Sequence, residues 1–190
     1  MSPSAVARPS WNRLYQVAVA QSGLFTTRQA ERAGYSPQLL NHHAKAGRIR
    51  RRRRGVFRLV HFPPSDEESL VEIWLWADRK AVFSHQTALS LHELSDALPH
   101  RVHVTLPTSW SDRRLRVPEG VVLHHRRVSR RDLAWVGVLP VTTPERTIED
   151  CIEDHVSPEW VAQAIEQAKA RGLVAPDRLA ELARSAGLAR

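Results

Sequence analysis

The chain has 190 residues, 42% of them hydrophobic and 25% charged. That is enough for one compact domain or two small ones, and it excludes a disordered, fibrous or collagen-like protein. Charge is the unusual quantity, with 28 Lys and Arg against 20 Asp and Glu for a net of +8.

The charge is unevenly spread. Residues 32–65 hold nine basic residues and no acid, residues 101–131 net +6, and residues 66–100 and 132–190 net −5 and −4. A local block beside compensated segments points to a polyanion site rather than to general basicity. Arg supplies 25 of the 28 basic residues. Codon bias raises Arg everywhere but does not empty residues 32–65 of acids. Cys151 is the single cysteine, which excludes an intrachain disulfide and a Cys-rich zinc site. Its neighbours Ile148 and Ile152 make it a small core residue. Met1 to Ser10 lacks an apolar signal core and no window reaches 18 apolar residues, so a cytoplasmic location is expected.

Met1 to Pro9 is rich in Ser, Pro and Ala and reads as a frayed N-terminus. Trp11, Leu14, Tyr15, Ala18 and Val19 recur at steps of three and four, giving an amphipathic helix to about Gln21, ended by Gly23. Thr26 and Gln29 have capping-box spacing, so a second helix starts near Thr27, turns Ala30 and Ala33 inward and closes at Gly34. Ser36 caps a third, with Pro37 at its first position, running to about Ala46 before Gly47. Two short helices joined by Ala33-Gly34-Tyr35-Ser36 have the helix-turn-helix layout. Arg48 to Leu59 reads as two strands around a turn at Arg54-Gly55, a basic wing.

His61 to Ser65 is the linker candidate. Asp66 to Asp78 is read as a helix, Ala81 to Phe83 as a short strand, and Ser84 as the cap of a helix to about Leu94. Val102–Leu106 and Val121–His125 read as strands, with Trp110 to Pro118 between them as a loop or hairpin. Leu139 to Thr142 is expected at a sheet edge, because Pro140 cannot donate to a ladder. Thr143 caps a helix that buries Ile148, Cys151 and Ile152. Helices over Pro158–Ala170 and Pro176–Ala186 close the chain. The expected fold class is α+β: an N-terminal winged helix-turn-helix over residues 10–62, then a mixed α/β domain over 66–190 closed by helices.

On the helix from Pro37 to Ala46, Leu40, His43 and Ala44 form the inward stripe and Gln38, Asn41, His42 and Lys45 face out. Gln and Asn bond adenine bidentately in the major groove, and Lys bonds guanine or phosphate. Arg50, Arg51, Arg52, Arg53 and Arg54 are consecutive, flanked by Arg48 and Arg58. Strand alternation puts Arg50, Arg52 and Arg54 on one face. Their planar guanidiniums suit phosphates or a narrow minor groove. The run is equally compatible with RNA or nonspecific binding. With Thr27 at the first helix start, these residues are the candidate DNA surface.

Arg113, Arg114, Arg116, Arg126, Arg127, Arg130 and Arg131 form a second basic cluster, which either extends the DNA surface, docks an acidic partner or is a solvated face. His124-His125 is a poor ligand pair, since adjacent strand residues point apart, and no HExxH or Cys/His spacing occurs. No metal, cofactor or catalytic residue is expected. Phosphate-binding glycine motifs and GxSxG are missing from the sequence. Asp78-Arg79-Lys80 and the acids Glu145, Glu149, Asp150, Glu153 and Asp154 are the one opening for a minimal nucleic-acid-processing enzyme. A solvated acidic face is the alternative reading.

Three stretches resemble the AbiEi-type antitoxins of type IV toxin–antitoxin systems. They are Gly23-Leu24-Phe25-Thr26-Thr27 through Ala46-Gly47-Arg48-Ile49 to Arg54-Gly55-Val56-Phe57-Arg58-Leu59; Phe83-Ser84-His85-Gln86-Thr87-Ala88-Leu89-Ser90-Leu91-His92; and Val102 to Pro107 with Leu139 to Asp150. The resemblance implies an N-terminal DNA-binding domain and a C-terminal antitoxin domain. It implies binding to double-stranded DNA at inverted repeats in the protein's own promoter, repression, and neutralisation of a nucleotidyltransferase-like toxin in phage defence. A monomer in solution or a weak dimer on DNA is expected, with no membrane partner. His43 stands where that family has an apolar residue. A DNA-binding regulator without a toxin is the alternative.

Overall fold

The computed structural model describes residues 8–96 and 98–188. Residues 1–7 of the stretch read as frayed lie outside them. The chain divides into two units between Arg79 and Lys80. The expected boundary at residues 62–66 is therefore displaced, because the helix after the linker packs with the first unit.

In the first unit, α1 (Trp11–Val19) is capped by Ser10, whose hydroxyl accepts from the Arg13 amide. Helix α2 (Thr27–Arg32) opens on the full capping box of Thr26 and Gln29. Gln29 also donates to the buried Gln21 side chain at 2.8 Å, so Gln21 leaves the helix it was assigned to and braces the next one. Helix α3 (Pro37–Lys45) has Ser36 as cap and Pro37 at its first position, as expected. Strands β2 (Ile49–Arg53) and β3 (Val56–Leu59) form the wing around Arg54-Gly55.

A third strand, β1 (Leu24–Thr26), was not anticipated. It pairs antiparallel with β3, giving the order β1-β3-β2. Three residues are too few for alternation to show, and Leu24 and Phe25 are both buried. Phe25 lies opposite Phe57, their rings stacked at 5.8 Å. Those rings, with Leu14, Ala30, Tyr35, Leu40 and Ile49, make the core of this unit. Helix α4 (Glu68–Trp76) completes it, with Val71 to Leu75 buried.

The second unit carries a five-stranded mixed sheet in the order β6-β5-β4-β8-β7. Its strands are β4 (Val82–Phe83), β5 (Val102–Leu106), β6 (Val121–His125), β7 (Leu133–Val136) and β8 (Leu139–Thr142). The pair β5–β6 is parallel, so the arginine-rich segment between them is a crossover loop and not a hairpin. Strand β8 is interior and fully buried, which corrects its assignment to an edge. Pro140 is accommodated because β8 pairs with the two-residue β4 only at Val141. The unforeseen β7 covers its other side.

Helices α5 (His85–Leu91), α6 (Pro144–Glu153), α7 (Pro158–Ala170) and α8 (Pro176–Ser185) share one apolar core with Leu89, Leu94, Ile148, Cys151, Ile165 and Leu182. Burial pushes the Cys151 thiol up, which keeps it inert. Among the described residues no helix is long and apolar enough to cross a membrane.

Gly23 closes the turn between α1 and β1 at φ +80°, and a Cβ there would come within 2.6 Å of the Phe62 ring. Gly47 has φ +69° with open space around it. Gly47→Ala should lower stability by about 1 kcal/mol through backbone strain alone. Gly23→Ala should cost about 1–3 kcal/mol more, because the ring must also move. Urea denaturation of the two variants checks the order.

Candidate nucleic-acid interface and a buried histidine cluster

Gln38, Asn41, His42 and Lys45 lie at steps of three and four on α3, and all four are exposed. Their helix runs through Gly47 and Arg48 directly into β2. Behind the stripe, His43 is partly buried between Trp11 and Tyr35, with ring centroids 5.7 and 5.5 Å away. Burial, Arg48 and His42 all hold its pKa down. The imidazole therefore fills an aromatic slot as a neutral ring, which accounts for a histidine on an inward stripe. Thr27 is half-buried: its amide donates to the Gly55 carbonyl at 2.9 Å and its hydroxyl points at the same oxygen. It ties the start of α2 to the turn of the wing.

The arginine run does not alternate as a regular strand would. Arg51 pairs with Phe57 and Arg53 with Val56, so Arg52 is the extra residue of a β-bulge. Arg52 and Arg53 consequently both reach Glu72, which is only 5% exposed. Arg52 Nε donates to Glu72 at 3.0 Å. Arg58 is an internal residue: its Nε donates to Glu68 at 2.8 Å and its terminal nitrogens to the Leu59 and Phe62 carbonyls. The expected common face of Arg50, Arg52 and Arg54 is thus not formed. Arg48, Arg50, Arg51 and Arg54 are left exposed without an ion pair among the described residues. Glu68 and Glu72 escaped the sequence reading, though acids in the helix after a basic hairpin were the available signal.

The second basic cluster is also divided. Arg113, Arg114, Arg116, Arg127, Arg130 and Arg131 are exposed in the loops flanking β6, and the Arg113 guanidinium lies 4.3 Å over the Trp110 ring. Arg126 instead donates to Asp150 at 2.9 Å and pairs with Glu153. Arg146 also binds Asp150 and Glu149, and Arg178 bridges Glu145, Glu149 and Glu181. The acids on α6 are therefore an ion-pair lattice around a buried Asp150, not a solvated face. Asp78 pairs with Arg28 at 2.8 Å. Of these acids, Asp78, Glu145, Glu149, Asp150 and Glu153 are thus each ion-paired to an arginine.

The structure also assembles a group that local spacing could not show. In the parallel pair β5–β6, Thr105 lies opposite His124 and His103 opposite Val122, so His103 and His124 share a face. His103 Nδ1 and His124 Nε2 are hydrogen-bonded at 3.1 Å. His85, the first residue of α5, has φ +52° and its ring stacks on His124 with centroids 3.6 Å apart. Ser84 stands at the cap position of α5 but does not cap it. Its hydroxyl accepts from Thr105 at 2.8 Å and is hydrogen-bonded to His85 Nδ1 at 2.9 Å. Asp154, at the end of α6, lies 3.6 Å from His85 Nε2 and 3.7 Å from His124 Nδ1. Burial, reinforced by neighbouring His124, His103 and Arg126, lowers the His85 pKa to about 3. Burial lowers His103 and His124 too, against the pull of Asp154. Weighing His124 against His125 alone misses this group: His85, His103 and His124 each offer a ring nitrogen, all within 4.8 Å of one another.

Residues 12–60 match the family model described as transcriptional regulator, AbiEi antitoxin. The match covers α1 through the wing, most of the first unit. The crystal structure of RV2827C protein from Mycobacterium tuberculosis is similar over 97% of this chain and 77% of that one, at 18% identity and a TM-score of 0.53. That likeness extends the shared fold across both units. No curated protein matches the chain.

In the first unit, Arg58 is largely buried and ion-paired, whereas Arg50 is exposed without an ion pair among the described residues. Arg58→Ala removes the shorter of two ion pairs to the partly buried Glu68, leaving Arg52 at 3.6 Å, and should destabilise the unit by about 2 kcal/mol. Arg50→Ala should change stability by less than about 0.5 kcal/mol. Chemical denaturation measures both.

Proposed function

We propose that this chain is a DNA-binding transcriptional regulator and antitoxin that acts in the cytoplasm on the promoter of its own operon. It binds inverted repeats there as a monomer or as a weak dimer on DNA, and it counteracts a nucleotidyltransferase-like toxin. The observation that carries this reading is the continuity of two surfaces: the polar stripe Gln38, Asn41, His42 and Lys45 on α3, and the unpaired Arg48, Arg50, Arg51 and Arg54 on the adjoining wing. Both lie in or beside the segment matched to AbiEi-type regulators. The antitoxin role rests on that match and on the motifs shared further along the chain.

In this reading α3 enters the major groove. Gln38 and Asn41 reach adenine edges, while Lys45 reaches guanine or a phosphate. Arg48, Arg50, Arg51 and Arg54 grip the flanking backbone or the minor groove. Arg52, Arg53 and Thr27 position the wing, and Arg58 acts from inside the fold. No catalytic step is assigned to the protein.

Footprinting on the upstream DNA should reveal a protected inverted repeat, and co-expression with a nucleotidyltransferase-like toxin encoded beside it should restore growth. A uniformly unprotected upstream region would remove the regulatory reading. With about four phosphates engaged, the log–log slope of affinity against salt should be near −4. The triple change Arg50→Ala, Arg51→Ala, Arg54→Ala should flatten it by about 3, whereas a slope that does not move would place the DNA elsewhere.

A further inference from the structure

We propose that His85, His103 and His124 form a binding site for one divalent transition-metal cation of the zinc class in the second unit. Three imidazole nitrogens within 4.8 Å of one another are the ligand number and type that such ions take, with borderline-soft nitrogen donors and no thiolate needed. Ligands about 2.1 Å from a tetrahedral ion are about 3.4 Å apart, and the His103 Nδ1 to His124 Nε2 distance of 3.1 Å is already close to that.

The surroundings fit this role. His85 is buried and His103 and His124 are partly buried, and the neutral imidazole is the form that binds a metal. His85 Nδ1 is held by Ser84, itself held by Thr105, leaving Nε2 directed toward Asp154. Such a partner on the non-ligating nitrogen is the usual means of orienting a metal-bound histidine. His103 is held in turn by its own amide, which donates to the Thr87 hydroxyl at 2.8 Å. Asp154 is half-exposed beside the rings and supplies both a counter-charge and a route from solvent.

A bound cation would give the half-exposed Asp154 carboxylate a counter-charge beside the rings. The bound ion would join the start of α5 to two adjacent strands, β5 and β6. The site lies outside the DNA-reading surface, so it does not depend on the regulatory reading.

The test is a Zn2+ titration of the full chain by calorimetry, with histidine-ring NMR on the wild-type protein and parallel titrations of His103→Gln and His124→Gln. One ion per chain should bind, and binding should weaken by about tenfold or more in each variant. Zn2+ at a hundredfold excess over Kd should raise the unfolding midpoint by about 5 °C or more. The wild-type ring signals of His85, His103 and His124 should shift together, which reads the site even where a variant fails to fold. Zn2+ binding that leaves those three rings unmoved, or an affinity unchanged in both folded variants, would overturn the proposal. So would no binding at all.

Discussion

Two glutamates, the buried Glu72 and the partly buried Glu68, decide what the arginine run can do. Like charges about 6 Å apart repel by about 3 kcal/mol at an effective dielectric of about 20, so five consecutive guanidiniums would splay a free hairpin. Glu68 and Glu72 on α4 take up Arg52, Arg53 and Arg58 on the inner side of the wing. The bulge at Arg52 is what allows two consecutive residues to serve the same carboxylate. With the root neutralised, Arg50, Arg51 and Arg54 project outward without setting the hairpin against itself. The helix that follows the linker is thereby tied to the wing, and this is the physical reason the unit ends at Arg79 and not near residue 62.

The local chemistry of the first unit was legible in the sequence. Thr26 with Gln29, Ser36 with Pro37, and Gly55 each carry their conformational demand within four residues, and each takes its expected place. Long-range pairings left no such mark. Strand β1 exists because Phe25 meets Phe57, 32 residues later. Nothing within Leu24–Thr26 announces it. The alternation assigned to Arg50, Arg52 and Arg54 failed for a related reason, since a bulge is set by the partner strand and by Glu72 rather than by the bulged residues.

In the second unit the same limit applied to the polar residues. Pro140 was read correctly as a poor donor but wrongly as an edge marker, because the sheet meets it with a strand too short to require its amide. The α6 acids looked solvated because their partners, Arg126 and Arg178, are distant in sequence. The histidines were judged as neighbours, His124 beside His125, when the sheet register couples His124 to His103 on the adjacent strand. A histidine set among buried apolar residues, as His103 is between Val102 and Val104, was the signal available.

Both units place arginines around a nearly buried carboxylate, and the difference in stoichiometry gives each its charge. Around Glu72 and Glu68 the arginines are in excess, and the surplus is displaced to the exposed side of the wing. Around Asp150 the balance is reversed: five carboxylates, Glu145, Glu149, Asp150, Glu153 and Glu181, meet three arginines, Arg126, Arg146 and Arg178, and no guanidinium is left over. A buried ion pair is a weak source of net stability, because desolvation offsets most of the attraction. Its structural effect is to fix where each guanidinium points. The net of +8 is therefore less informative than which arginines the glutamates leave free: those on the wing are exposed without an ion pair among the described residues, and those around Asp150 hold a helix in place.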